Sequence, residues 1–354
     1  MSALVTRSRK KIVIVGGGNG PYLVGSGLRD YDVDITIICT PADNGGSSGR
    51  IRDEFGKTLP QGDLRRGIMA LMDTEDVMDR AYFDHRFEGE GGAIDELTDH
   101  SLGNIMLLAA HKRFGPIQGT AYVGKLFGVR GTVLPMSTDD THLQAKLSDG
   151  THIQGETTID TRPIEDSRTI ESVWLEPKAF ICRQAADAIR QADAVIMGPG
   201  DLFTSLVPNL CVVGARETLE ESKAMFICIV NQMDKWSETR GYTAYDFVAQ
   251  LVQYGIGREK FDAAIVNSAP IPQKVLDSYL EQEKLKPIEL GEDGCGELKR
   301  LRSIVTMIHA VDLLSEAGLP KGLIRHDSRK VAHAIMELLH VGPSGEYTFM
   351  GEKS

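Results

Sequence analysis

Residues 11–50, KIVIVGGGNGPYLVGSGLRDYDVDITIICTPADNGGSSGR, restrict what this chain can become more than any other stretch. Residues 11–15 are a short run rich in β-branched side chains that stops at Gly16, Gly17, Gly18, Asn19 and Gly20, the pattern of a strand buried on both faces. Pro21 fits the first turn of a helix, where its missing N–H costs nothing. Such a turn leaves backbone N–H groups at a helix start with the positive end of the macrodipole behind them, which makes it an anion site. Residues 35–40 form a second apolar strand, and Asp43, Asn44, Gly45, Gly46, Ser47, Ser48 and Arg50 follow at its carboxyl end. Ligands of open α/β sheets bind at that edge.

Further along, strands at 194–197, 225–231 and 263–267 alternate with helices at 213–222, 244–254 and 272–283. That spacing implies parallel βαβ crossovers and an α/β fold with a doubly wound, mainly parallel, Rossmann-like sheet. Residues 129–136 read as another strand. Residues 143–147 and 151–158, joined through Ser148-Asp149-Gly150, read as a hairpin that adds an antiparallel edge to that sheet. A helical insertion spans about 60–128, with helices at 102–114 and 117–127 and one through Leu71 that Asp63 caps or starts. One domain is expected over 11–340, between a flexible terminus at 1–10 and a loose tail at 341–354.

The first glycine loop fails the dinucleotide test, because a GxGxxG frame puts Pro21 in place of the third glycine and no acid ends the second strand until Asp43. It lacks the Lys and Ser/Thr of a P-loop as well. No NAD, flavin or haem is expected, and the ligand is a mononucleotide or sugar nucleotide. Gly198-Pro199-Gly200-Asp201, with Thr204 and Ser205, repeats the strand, glycine turn and helix order as a second anion cradle.

Asp43 is the acid to orient Mg²⁺ or a ligand hydroxyl, and the residue on which catalysis would rest, although alone it also suits an Asx turn. Ser47, Ser48 and Arg50 are phosphate contacts, Arg for its bidentate fork. Asp63, Arg65 and Arg66 open a helix where the macrodipole disfavours cations unless an anion is present. The arginines therefore take a phosphate or pair with Asp63, Glu54 or Asp53. Asn231, Gln232, Asn267 and Ser268 supply amides and a hydroxyl at strand ends that can read a base or sugar edge. Glu238 and Tyr242 fall in a loop that could close over the ligand, with Tyr242 stacking on a base. Thr138, Asp139, Asp140 and His142 suit either a metal or a capped turn. No nucleophile elbow is visible, so a covalent mechanism lacks support.

Net charge is 39 minus 50, or −11, which argues against nucleic-acid and anionic-membrane partners. Five scattered cysteines without a CxxC pair read as buried thiols of a reducing compartment. The apolar run behind Arg7, Arg9, Lys10 and Lys11 is too short for a signal peptide, so a cytoplasmic protein is expected. Acidic doubly wound proteins of this size commonly dimerise, and a homodimer is among the expectations, although no seam is visible.

Seven ordered blocks carry a resemblance: GGGNG, ADNGGSSGR, QGDLRRGIMAL, LGNIMLLAA, VLPMSTDDTHL, GPGDLFTSLVPNL and LIRHD. Together they resemble the YvcK group of the CofD-like superfamily across roughly residues 11–335. The resemblance implies a cytoplasmic factor of gluconeogenic growth and cell shape that binds UDP-sugars such as UDP-N-acetylglucosamine. The superfamily also resembles 2-phospho-L-lactate transferase, which uses a guanosine diphosphate donor and Mg²⁺. Asn44 stands where the family commonly has a second aspartate, and Asp201 and Phe203 stand for a usual serine and tyrosine.

Overall fold

The computed structural model describes residues 9–56, 58–73, 77–88, 97–256, 259, 261–282, 284–288, 290 and 296–340. Cys295, the tail from residue 341 and most of the leading segment lie outside these residues. The chain opens with β1 (Lys10–Gly16), α1 (Gly20–Leu28) and β2 (Val33–Cys39). Five helices follow: α2 (Gly46–Phe55), α3 (Gln61–Leu71), α4 (Val77–Asp84), α5 (Leu102–Phe114) and α6 (Pro116–Leu126). Next come β3 (Thr132–Pro135), β4 (His142–Leu147), β5 (His152–Gln154), α7 (Glu156–Asp160), β6 (Ile170–Glu176), α8 (Arg183–Arg190) and β7 (Ala194–Met197). A π-helical turn (Leu202–Leu206) runs into α9 (Val207–Leu210), then α10 (Ala215–Glu221), β8 (Met225–Ile229), α11 (Ala244–Tyr254) and β9 (Phe261–Asn267). α12 (Gln273–Gln282), α13 (Glu297–Ile304), β10 (Val305–Val311) and α14 (Ser328–His340) complete it.

Seven strands form one parallel sheet in the order β10-β9-β8-β7-β1-β2-β3. β1 lies inside the sheet beside the central β7, pairing Ile12 with both Ile35 and Ala194. Side chains alternate across a strand, so Ile12 and Ile14 enter one core with α1, α3, α5 and α14, while Val13 and Val15 enter the other with β4, β6, α8 and α11. From β1 the chain winds outward through β2 and β3. From β7 it winds the other way through β8, β9 and β10. The neighbouring carboxyl ends of β1 and β7 are therefore the switch point, where a doubly wound sheet leaves a crevice.

Three expectations need correction. The hairpin of β4 and β5 does not extend the main sheet but joins β6 in a separate three-stranded antiparallel sheet, ordered β5-β4-β6. The reason is burial: Leu143, Ala145 and Leu147 form one apolar face of β4, and that face packs across the main sheet's core rather than along its edge. Its second arm is shorter than expected, because Gly155, at φ +97°, ends β5 and starts α7. Asp63 neither caps nor starts α3, which begins two residues earlier at Gln61 after Pro60, and its carboxylate instead reaches back to β1's turn.

α1 packs closely on α14. A Cβ on Gly27 would lie 2.0 Å from the carbonyl oxygen of Ser328 and 3.0 Å from Ala332 Cβ. Helix propensity alone makes Gly27→Ala favourable by about 1 kcal/mol. The clash reverses that sign, so we expect a loss of about 1–3 kcal/mol, read as a lower urea midpoint. A raised midpoint would mean that α1 and α14 are free to separate.

Candidate functional site

A cleft of about 750 Å³ opens at the switch point. Its floor is made by the turns after β1 and β7, which touch: a Cβ on Gly20 would lie 1.7 Å from the carbonyl oxygen of Pro199. Gly17, Gly18, Asn19, Gly20, Asp43, Asp63, Arg66, Gly200, Asp201, Thr204, Ser205 and Asn231 all line it. The sequence-predicted residues of the two glycine turns thus converge, although 180 residues separate them in the chain.

The turns differ from the expected cradles in one respect. The amides of Gly18, Gly200 and Phe203 already hold internal acceptors, because a helix start left without an acceptor is costly. The Gly18 N–H donates to Asp63 Oδ1 at 2.9 Å, with Gly18 at φ +61°. The Gly200 N–H donates to Asn231 Oδ1 at 2.9 Å, and Asn231 Nδ2 returns a bond to the Gly200 carbonyl at 2.9 Å. Phe203 N and Thr204 Oγ1 donate to the two oxygens of Glu238 at 2.6 and 2.7 Å. Glu238 is therefore the buried anion of the second turn rather than part of a closing loop.

Carboxylates crowd this cleft. Burial and the charge of Asp43 push the Asp63 carboxyl up to about 7, with Arg66 at 3.4 Å opposing the shift. Burial and Asp201 push Glu238 up to about 7. Burial, then Asp43 and Asp160, push Glu156 up to about 8. Lys235 sits among Asp160, Asp201 at 2.9 Å and Glu238 at 3.8 Å. Burial alone would pull its ammonium down, but Glu238, Asp201 and Asp160 hold it well above the ordinary range. These three acids form the one potential metal cluster among the described residues, and Lys235 already serves it as the cation.

Other expected site residues lie away from the cleft. Ser47 Oγ bonds His100 Nδ1 at 2.9 Å and accepts from Asn104 Nδ2 at 3.0 Å, while Ser48 Oγ accepts from Gly62 N at 2.9 Å. Both hydroxyls thus fasten α2 to its neighbours. Arg50 does not line the cleft, and neither do Gly45 and Gly46, which start α2. Arg65 turns from the cleft to Asn104, Met69 and Asp84. Arg66 faces the cleft, so of the two arginines it alone stands at the site. Gly16 ends β1, and Gly198 turns tightly against the Ile229 carbonyl, 2.4 Å from where its Cβ would be. Asn267 binds Ala269 and the Leu313 N–H, fixing the loop after β9. Asn44 accepts from Thr157 N at 2.9 Å and so seats α7. Tyr242 packs against the core rather than over the cleft.

Asp43 Oδ1 accepts from Gly45 N at 2.9 Å, an Asx turn, and the residue also lines the cleft. Asp139 accepts from Phe180 N at 2.7 Å, and Asp140 pairs with the buried Arg52 at 2.8 Å. That cluster is a structural turn beside a second cavity of about 560 Å³.

Sequence reasoning gave no role to Glu156, Asp160, Lys235, Trp236, Arg325 or His326, all of which line the cleft. Glu156 and Asp160 stand i, i+4 on α7, a spacing hidden when the segment is read as a strand. Trp236 carries the Arg240 guanidinium 4.5 Å above its ring. No described helix is long and apolar enough to cross a membrane.

Fold and cleft define an α/β protein with a polar cleft at the switch point of a doubly wound parallel sheet. Residues 12–308 match the family model described as 2-phospho-L-lactate transferase CofD, and the chain belongs to that family, in its gluconeogenesis factor group. The gluconeogenesis factor of Bacillus subtilis is 37% identical over 333 residues, covering 94% of this chain and 98% of the relative. That of Halalkalibacterium halodurans is 36% identical over 332 residues, 93% of this chain and 96% of the relative. The crystal structure of a UPF0052 family member from Bacillus halodurans superposes with a TM-score of 0.82 at 35% identity, covering 93% of this chain and 99% of that one.

Each raised carboxyl binds its proton more tightly folded than unfolded, where Glu titrates near 4. The cost of ionising Glu156 is thus absent below about pH 4 and complete above about pH 8, so its contribution to stability falls as pH rises through that window. Glu156→Gln should therefore melt progressively above wild type between pH 5 and 8.5. A constant offset would show that Glu156 titrates normally. Lys235→Met leaves three acids without their cation and, because Asp160 and Asp201 are partly exposed and screened, should cost about 1–3 kcal/mol by urea unfolding.

Proposed function

We propose that this protein binds a nucleotide or sugar nucleotide, a UDP-sugar such as UDP-N-acetylglucosamine, and that the binding serves a regulatory role in carbon metabolism and cell shape in the cytoplasm. The observation that carries the reading is the cleft at the β1/β7 switch point, where two touching glycine turns form the floor and Arg66, Lys235 and Arg325 face the same space. Its volume of about 750 Å³ suits a ligand of nucleotide size. Since Asp63, Asn231 and Glu238 already hold the amides of Gly18, Gly200 and Phe203, the cationic side chains share the capture of a diphosphate with the remaining turn amides. Arg is suited to it by its fork of donors.

The residues also fit Mg²⁺. Asp43, Asp63 and Glu156 are not a preformed cage, but Mg²⁺ is usually held by one or two carboxylates together with ligand phosphates, and the repulsion of Asp63 and Glu156 by Asp43 is what a divalent cation relieves. Bound there, Mg²⁺ would neutralise phosphate charge. The same acid surplus favours a second reading, a transferase of the 2-phospho-L-lactate type. In it Arg66 would neutralise the diphosphate and Asp43 would orient the acceptor hydroxyl.

Calorimetry with UDP-N-acetylglucosamine, UDP, GDP and pyrophosphate, each with and without Mg²⁺, tests both. Binding of a uridine nucleotide is expected, weakened more than about tenfold by Arg66→Ala and by Asp43→Ala. Failure of every nucleoside diphosphate to bind sinks the first reading. Release of a nucleoside monophosphate from a guanosine diphosphate donor, given acceptor and Mg²⁺, would establish the second.

A further inference from the structure

We infer that the end of the cleft walled by Met233, Tyr279, Leu285 and Ile324 receives the nucleobase of the ligand, whose edge is read by the side-chain amide of Gln232 and by Nε2 of His326. This rests on the nucleotide reading of the cleft and narrows it.

Among the amides at the strand ends, Asn231 is spent on Gly200, and Asn267 on Ala269 and Leu313. Gln232 stands apart. It lines the cleft, is 6% exposed, and neither its Oε1 nor its Nε2 has a hydrogen-bond partner among the described residues. Buried side-chain amides are nearly always paired, and leaving one unpaired costs its full desolvation. Its backbone is fixed, since the Gln232 carbonyl accepts from Ile288 N at 3.0 Å. The two polar atoms of the side chain are left without a partner.

His326 adds the second group. It lines the same cleft and hydrogen-bonds to the backbone of Val230, two residues before Gln232, while its Nε2 is buried without a partner. The Val230 N–H is already given to Ile265, so the histidine's partner is the Val230 carbonyl and the ring donates to it through Nδ1. Burial pushes this imidazole down to about 4, so the ring is neutral near pH 7. A neutral ring that donates through one nitrogen can only accept through the other. Cleft groups therefore offer two acceptors and the two N–H donors of the Gln232 amide. Their complement is a ligand edge that sets an N–H donor beside a carbonyl or ring-nitrogen acceptor.

The walls decide between a base and a sugar. Tyr279 and Ile324 belong to a small apolar cluster of their own, packed by Met233 and Leu285. The Tyr279 hydroxyl is taken up as acceptor from Ile324 N at 3.0 Å, so it offers no acceptor to a ligand donor beyond its remaining lone pair. Apolar walls suit the flat faces of a nucleobase, whereas sugar hydroxyls would lie against them unpaired. The charged groups Arg66 and Lys235 fall at the glycine turns, where the phosphates are placed. Arg325 borders the apolar end as well, with its guanidinium donating to the Ile324 carbonyl at 3.0 Å, so the division by polarity rests on the apolar walls against the cations at the turns.

Gln232→Met tests the inference, because methionine nearly matches glutamine in shape and removes both unpaired atoms. Its melting temperature should equal or exceed that of wild type, since no hydrogen bond is lost. Its affinity for UDP, by calorimetry, should fall at least about tenfold, while pyrophosphate binding changes less than about twofold. His326→Phe should show the same selective loss. Unchanged UDP affinity in both variants would overturn the base subsite and leave the nucleotide reading standing. Equal losses for UDP and pyrophosphate would also overturn it, as would a loss confined to UDP-N-acetylglucosamine, which would assign these groups to the sugar. A wild-type protein that binds no nucleoside diphosphate removes the nucleotide reading itself, and this inference with it.

Discussion

The contact between the turns after β1 and β7 is the constraint on which the site depends. Only a residue without a side chain at position 20 lets the main chain approach that of Pro199 so closely, since a Cβ there would meet the Pro199 carbonyl oxygen at 1.7 Å. That approach is possible because β1 and β7 are neighbours in the sheet, with crossovers leaving in opposite directions. Were the strands one position further apart, at the ordinary spacing of about 4.8 Å, each turn would end its own strand and no shared floor would form.

Closing two helix starts on one rim concentrates positive main-chain dipoles, and the chain answers with carboxylates. Asp63 at Gly18 and Glu238 at Phe203 and Thr204 are each buried, and each is raised in pKa by that burial. Lys235 balances three acids at one end, and Arg66 opposes Asp63 at the other. Such a balance of buried charge is weak support for stability, because desolvation offsets much of the attraction. It is better suited to a site whose charges rearrange when an anionic ligand or a cation arrives. The apolar end, with Gln232 and His326, is organised by the opposite principle, few polar groups beside an apolar wall.

Much of the frame was legible in the sequence, since β-branched runs, Gly16–Gly20 and Pro21 act over a few residues. β1, α1, β2, α5 and β7 fall where pattern places them, as does the meeting of both glycine turns at one sheet border. The hairpin's destination was not legible, because the alternation of Leu143, Ala145 and Leu147 defines an apolar face without saying which partner covers it. α7 was missed because five residues that follow a strand carry too little periodicity to announce a helix, although Gly155 marks the break.

By itself, then, the sequence determined the parallel α/β sheet, the two glycine turns and the border on which a ligand would sit, for these rest on local backbone chemistry and the handedness of crossovers. Tertiary structure alone decided what fills the turns and what lines the cleft. The pairs that settle it are Asp63 with Gly18, 45 residues apart, Thr204 with Glu238, 34 apart, and Lys235 with Asp160, 75 apart. A carboxylate's partner is chosen by distance in space and by burial. Neither is written in the order of residues until the sheet has brought those segments together.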